Sequence, residues 1–305
     1  MVSVAFRRSL SFNQNPATTP SKVEENNGHV RSTSLPTRTH PLIAKLGQEV
    51  RSLRLWRMEN QSSGSTVVPD VTWLATGFTR LENLLHVTLD DLLRLQQTQD
   101  SLRRHRKSSW VDTLLDDFLH FADTYGCFRE ALVSLQQLQS AARSAVRRKD
   151  EAKLGSHARS QRKLEKEMQK LVSCLRDMGR IHEPLVFSDS SEAEMAGVMR
   201  EVKNGIASAS ASVFAGLMSL SSECLSTSSN STHASSSSAG STAWSALKKK
   251  LTVSSSSKKT EEEWDKCLEG LKGLEKCAQE LETGSDKVFR CLINTRVALL
   301  NILTP

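Results

Sequence analysis

The chain has one Tyr, seven Pro and fourteen Gly in 305 residues, and only 5% of it is aromatic. So little turn-forming material excludes a fold stitched together by many tight turns, and fits long helices joined by few connections. The six cysteines, Cys127, Cys174, Cys224, Cys267, Cys277 and Cys291, include no CxxC pair, which excludes a zinc knuckle or a redox dithiol. All but Cys224 fall in helically periodic stretches, where a thiol behaves as a small hydrophobe. Reduced thiols and an intracellular, chiefly cytoplasmic location are therefore expected. No signal peptide is expected either: Met1 to Phe6 is a short apolar run, ended by Arg7-Arg8. The run to Lys22 has no acid before Glu24 and so shares a trait with plastid and mitochondrial transit peptides. It reads first as a polar tail, with a plastid or membrane-peripheral location as the alternative. The nearest approach to a membrane span, Ile206 to Leu220, is too short and too rich in Ser and Ala.

Motifs of chemistry are missing as well. There is no P-loop, GxGxxG, HExxH or GxSxG. Asp117 and His120 stand three apart on one helix face, a ligand-like spacing, but a carboxylate-bridged metal bundle needs several such sets turned inward. Asp90-Asp91 and Asp116-Asp117 are adjacent, about 100° apart around a helix, which separates them as acid–base dyads. The expectation is a non-enzyme without metal, cofactor or catalytic residues.

What is present is helical periodicity. Trp110, Leu114, Phe118, Phe121, Tyr125, Phe128, Leu132, Leu135, Leu138, Ala142 and Val146 step by three or four, one apolar face of a helix about ten turns long. Thr113, Asp117, His120, Thr124, Glu130 and Ser134 form its opposite, wet face, and Ser109 with Asp112 predicts a capping box at its start. Gly126 inside this helix predicts a close helix crossing or a kink. Other stripes supply partners. Leu42, Leu46, Val50 and Leu53 mark a first helix. Behind Pro69 and the cap Asp70 come Val71, Leu74, Phe78, Leu81, Leu85, Leu89, Leu92 and Leu95. After a break over Asp150 to Ser156, Leu164, Met168, Leu171, Leu175 and Met178 form the next. A capping signal over Ser191 to Glu194 then opens Met195, Val198, Val202, Ile206, Ala209, Val213, Leu217 and Leu220. Thr260 and Glu263 cap a seven-residue repeat from Trp264 through Leu271, Leu281, Val288 and Leu299 to Ile302. That repeat suits a coiled coil or packing within the bundle, and the other uncovered stripes favour the latter.

The pattern predicts an all-α antiparallel bundle of long helices. Residues 1–40 read as a disordered tail, 41–222 as the main bundle, 223–259 as a Ser-rich low-complexity linker with a short basic amphipathic piece, and 260–305 as C-terminal helices packing back on the bundle. Charge is unevenly spread. The net charge is +7, and Arg143 to Arg180 carries twelve Lys and Arg against five acids. Arg159, Arg162, Lys163 and Lys166, and separately Lys248, Lys249 and Lys250, are candidate contacts for an anionic membrane surface. Phosphorylation of the serines beside Lys248–Lys250 would release that piece. With no aromatic between Phe128 and Phe187 for base stacking, nucleic acid is not the expected partner. Ser9 and Ser34 each follow an Arg by two or three residues and are candidate phosphosites; Arg31-Ser-Thr-Ser34-Leu-Pro36 has the form that 14-3-3 proteins accept.

The strings Arg31–Pro41 (RSTSLPTRTHP), Trp110–Leu115 (WVDTLL), Ala141–Lys149 and Phe289–Leu303 (FRCLINTRVALLNIL) together resemble a plant-specific helical family grouped under the Bypass name, in order over residues 31 to 303. Phe121–Cys127 stands where that family carries an LLDVCG-like run. The resemblance implies a non-enzymatic regulator linked to root and shoot development, acting through an unidentified protein partner, and it brings no catalytic or ligand residues. The alternative expectation is a peripheral membrane adaptor held by the basic stretches.

Overall fold

The computed structural model describes residues 40–62, 70–180, 187, 189–223 and 261–304, with the side chains of all but 60–62, 222, 223, 263 and 266. These lie in the unit from Ser34 to Pro305. Ser9, Ser34, Cys224, Lys248–Lys250 and the Thr260 cap fall outside the described residues.

Among the described residues there are helices and no strand. α1 is Pro41–Ser62. α2, Val71–Glu82, begins at Asp70, whose carboxylate accepts the Thr72 and Trp73 N–H groups as the sequence predicts. The rod continues as a π-helical stretch, Asn83–Leu89, and as α3, Asp90–Arg94. The π stretch has a physical reason. Leu81, Leu85, Leu89 and Leu93 are buried at steps of four, as are Leu84, Thr88 and Leu92. Such steps drift off one face of an α-helix, whereas the wider i→i+5 turn holds them in line. The rod ends at Leu95, where the backbone extends to ψ 128 before α4, Gln96–Arg104.

α5, Ser109–Arg147, is the long rod that the sequence predicts. Every member of its apolar stripe is buried except the half-buried Leu138. Two members of the expected wet face are not wet: Asp117 and Thr124 are buried, at 9% and 6% exposure. The Ser109–Asp112 capping box is also corrected. The N-cap is Ser108, and its hydroxyl is turned to another helix. The helix runs unbroken through Gly126, and a Cβ there would meet nothing within 4 Å, so a close crossing does not account for this glycine.

The break before α6 is shorter than expected. Lys149, at φ 55, turns the chain, and α6 starts directly behind Asp150 as Glu151–Met178. The Asp150 N–H bonds the Ala145 carbonyl at 2.9 Å, the six-residue closure of a helix end that usually recruits glycine. α7 is Ser190–Glu223 and is capped two residues earlier than predicted, by the Asp189 carboxylate on the Glu192 N–H at 2.7 Å. α8, Glu261–Leu303, is continuous through Gly284. The glycine is required there: a Cβ would lie 2.9 Å from Phe78 Cβ on α2.

Pairs across the rods give their directions. Arg80 bonds Ser52 and Trp73 stacks on Trp56, so α2 runs against α1. Gln161 bonds Ser221 while Gly179 lies beside Ala207, so α7 runs against α6. Arg129–Asp286, Gln136–Glu282, Arg143–Glu275 and Lys149–Glu261 run α8 against α5. Rods that follow one another in sequence therefore alternate up and down, an antiparallel bundle. The 4.2 Å stack of the two tryptophans is closed by reciprocal bonds, each indole N–H donating to the other's carbonyl at 3.2 Å.

The enclosed rod is α7, which packs on α1, α2, α5 and α6. From Val202 to Met218 none of its residues is exposed. Its Ala, Ser and Gly side chains let these neighbours close in, and a helix without a wet face belongs inside. The segment that came nearest to a membrane span is thus the heart of a core. Among the described residues no helix is long and apolar enough to cross a membrane. Around α7 sits an aromatic cluster: Phe128 stacks on Phe214 at 3.8 Å, with Tyr125 and Phe78 edge-on beside them. A smaller core of Ala142, Val146, Trp264 and Leu271 closes the far end, where α5, α6 and α8 meet.

Candidate functional site

The first third of α5 and that of α7 run parallel, tied by Trp110 Nε1–H donating to Glu192 at 2.9 Å and by Lys203 to Asp117 at 2.7 Å. Between them lies a cleft of about 320 Å³, closed at one end by Met178 from α6. Helical spacing builds both walls. Trp110, Thr113, Leu114, Asp117 and His120 share one face of α5, with Asp116 beside them; Ala196, Met199, Arg200 and Lys203 share one face of α7. The lining is mixed: Trp110, Leu114, Met178, Ala196 and Met199 supply apolar surface, and Thr113, Asp116, Asp117, His120, Arg200 and Lys203 bring polar groups to it.

Each polar group is held differently. Glu192, 1% exposed, accepts from Ser108 Oγ at 2.5 Å and from the Trp110 indole, and His105 Nδ1 stands 3.7 Å away. This buried carboxylate fixes the Trp110 ring as a wall. Asp189, on the other side of His105, has its carboxyl held low chiefly by the Glu192 N–H. Burial pushes the Asp117 carboxyl up, and the Lys203 ammonium pulls it part of the way back. Arg200 is half-buried and has no ion-pair partner among the described residues.

The cleft takes Asp117 and His120 out of the role that their spacing suggests. Asp117 turns to Lys203 while His120 is exposed, and no group of three or more His, Cys, Asp or Glu among the described residues is placed to hold a metal. Asp90 pairs with Arg94 at 2.7 Å, on the surface. Lys203 and Glu192 escaped the sequence reading. Lys203 had a signal, since a charge inside the most apolar and small-residue helix needs a buried partner. Glu192 had a weaker one, standing three residues after the true cap, Asp189.

The basic residues of α6 fall in a row. Arg159, Lys163, Lys166 and Lys170 are exposed at steps of four, three and four, and none has an ion-pair partner among the described residues. Arg162 is half-buried beside them, not on the row. On α8 an outward row of Ile293, Val297 and Leu300 is 36–48% exposed, with Leu119 of α5, 36% exposed, at the same level of the antiparallel pair. No disulfide joins the five described cysteines.

No curated protein and no solved structure matches the chain. A family model described as Protein BPS1 matches residues 77–302, from within α2 to the last turn of α8. That match covers more than half of the chain, including both walls of the cleft, the α6 row and the outward row of α8, and it agrees with the resemblance carried by the Trp110 and Phe289 strings: the chain belongs to the Protein BPS1 family.

Proposed function

We propose that this protein is a non-enzymatic regulator of plant root and shoot development that works by binding another protein. The observation that carries the contact is the outward row of α8, Ile293, Val297 and Leu300 with Leu119 beside it. A row at helical spacing on a rigid rod suits the apolar face of a partner's amphipathic helix. In plants lacking the protein, a transgene should restore root and shoot growth, and Val297→Glu with Leu300→Glu should not, although that variant keeps its helical circular dichroism and melting temperature. Full rescue by the double variant would remove this row from the proposal.

A second reading, a peripheral membrane adaptor, is favoured by the α6 row. Four cations without partners on one face, each worth about 1 kcal/mol near an anionic bilayer, suffice for reversible binding. Flotation with phosphatidylserine vesicles should then fall on changing Arg159, Lys163, Lys166 and Lys170 to Gln. Flotation that is unchanged, or equal on neutral vesicles, would dismiss that reading. Phosphorylated Ser34 would dock 14-3-3 proteins, and phosphorylation beside Lys248–Lys250 would release that piece from the bilayer.

A further inference from the structure

We propose that the cleft between α5 and α7 binds a small monoanionic carboxylate with an apolar body, the carboxylate on Arg200 and the body against Trp110, Leu114, Met178 and Met199. This site is independent of the α8 row. Three observations carry the proposal. The volume, about 320 Å³, lies at the lower end of the range for small-ligand pockets. The walls are preformed: Trp110 is locked by its bond to the buried Glu192, and the Asp117–Lys203 pair, with side chains 13% and 11% exposed, braces the two rods.

The third observation is a guanidinium without a partner. Asp117 and Lys203 neutralise each other, and Glu192 accepts from Ser108 and Trp110 and is not part of the cleft's lining. Arg200 lines the same cleft, half-buried, with no partner. A guanidinium presents a planar fork that matches a carboxylate with two parallel bonds, and partial burial strengthens them. Lys203 spends one donor on Asp117 and has two more to offer. The Asp116 carboxylate also lines the cleft; it is exposed, so water screens its repulsion of the ligand's one carboxylate, and it adds to the cost of a second.

The test uses the full-length chain and a matched pair of probes, 4-biphenylacetate and its neutral amide, followed by isothermal titration and saturation-transfer NMR. The acid should bind the wild type at least about tenfold more tightly than the amide. Arg200→Gln should weaken the acid by about tenfold and leave the amide unchanged, and Arg200→Lys, which keeps charge but not the fork, should fall between. Met199→Trp, which fills the cleft, should weaken both probes. Circular dichroism and melting temperature verify that each variant folds, and three Arg200 and Met199 variants keep the test decisive if one does not. Equal affinity for acid and amide, no binding to the wild type at about 5 mM, or wild-type binding of the acid by Arg200→Gln would overturn the proposal.

Discussion

His157 is buried on α6, at 6% exposure, with neither ring nitrogen hydrogen-bonded. Burial lowers its pKa from the ordinary 6.5. A base with a depressed folded pKa is neutral in the native chain and carries no protonation penalty at high pH. As pH falls below 6.5 the unfolded chain takes the proton first, so stability drops until the native His157 is itself protonated. Replacing it with Leu removes this one proton of linkage. The pH dependence of urea unfolding between about pH 7 and about pH 5 should then be shallower in His157→Leu by at most about 1.4 kcal/mol per pH unit. Identical slopes in the two proteins would show that the imidazole reaches water. Asp117 and Lys203 teach a related lesson at the same scale. A carboxylate on a helix face that also carries Thr113 and His120 looks solvated in the sequence, but whether it is depends on which rod passes beside it.

Glycine in a rod has opposite meanings at two places, and only the neighbouring rod tells them apart. At Gly126 of α5 a Cβ would enter open space, so Gly126→Ala should stabilise by up to about 1 kcal/mol through helix propensity. At Gly284 of α8 the same change drives a methyl against Phe78, a ring held in the aromatic cluster, and should destabilise by about 1–3 kcal/mol. Chemical denaturation of the two single variants checks the contrast; a stabilising Gly284→Ala would mean that α2 and α8 lie farther apart, and a destabilising Gly126→Ala that the space beside α5 is filled. The rods themselves were legible because three-to-four spacing of apolar residues is a strong signal. The stripes of α5 and α8 are buried nearly residue for residue. What periodicity could not show was local chemistry: the π stretch at Asn83–Leu89, the Lys149 turn at positive φ, and caps at Ser108 and Asp189 one or two residues from where Ser and Glu spacing placed them. It also missed the cleft, since its walls come from two rods far apart in sequence and its key pairs, Trp110–Glu192 and Asp117–Lys203, join residues whose own neighbours give no hint of each other.

At the scale of the molecule the core is unequal. The main cluster runs through α1, α2, α5, α6, α7 and α8, while Ala142, Val146, Trp264 and Leu271 form a separate, smaller cluster at the far end. Regions with few apolar contacts open first. Trp264→Ala should therefore free the start of α8 without unfolding the rest. Hydrogen exchange should speed up over residues 261–274 and at the α5–α6 turn, with the amides around Phe128 and Phe214 unchanged. Loss of protection throughout would mean that the two cores unfold as one. The placement of α7 also bears on how the chain is made. Arg57 on α1 bonds Ser212 on α7, 155 residues later, and Gly77 on α2 lies against Val213. The first two rods to leave the ribosome must therefore wait, apolar faces open, until translation has supplied the helix that shelters them. Any fragment ending before α7 would display those faces to solvent, and a nascent chain stalled there would be a natural client for a holdase.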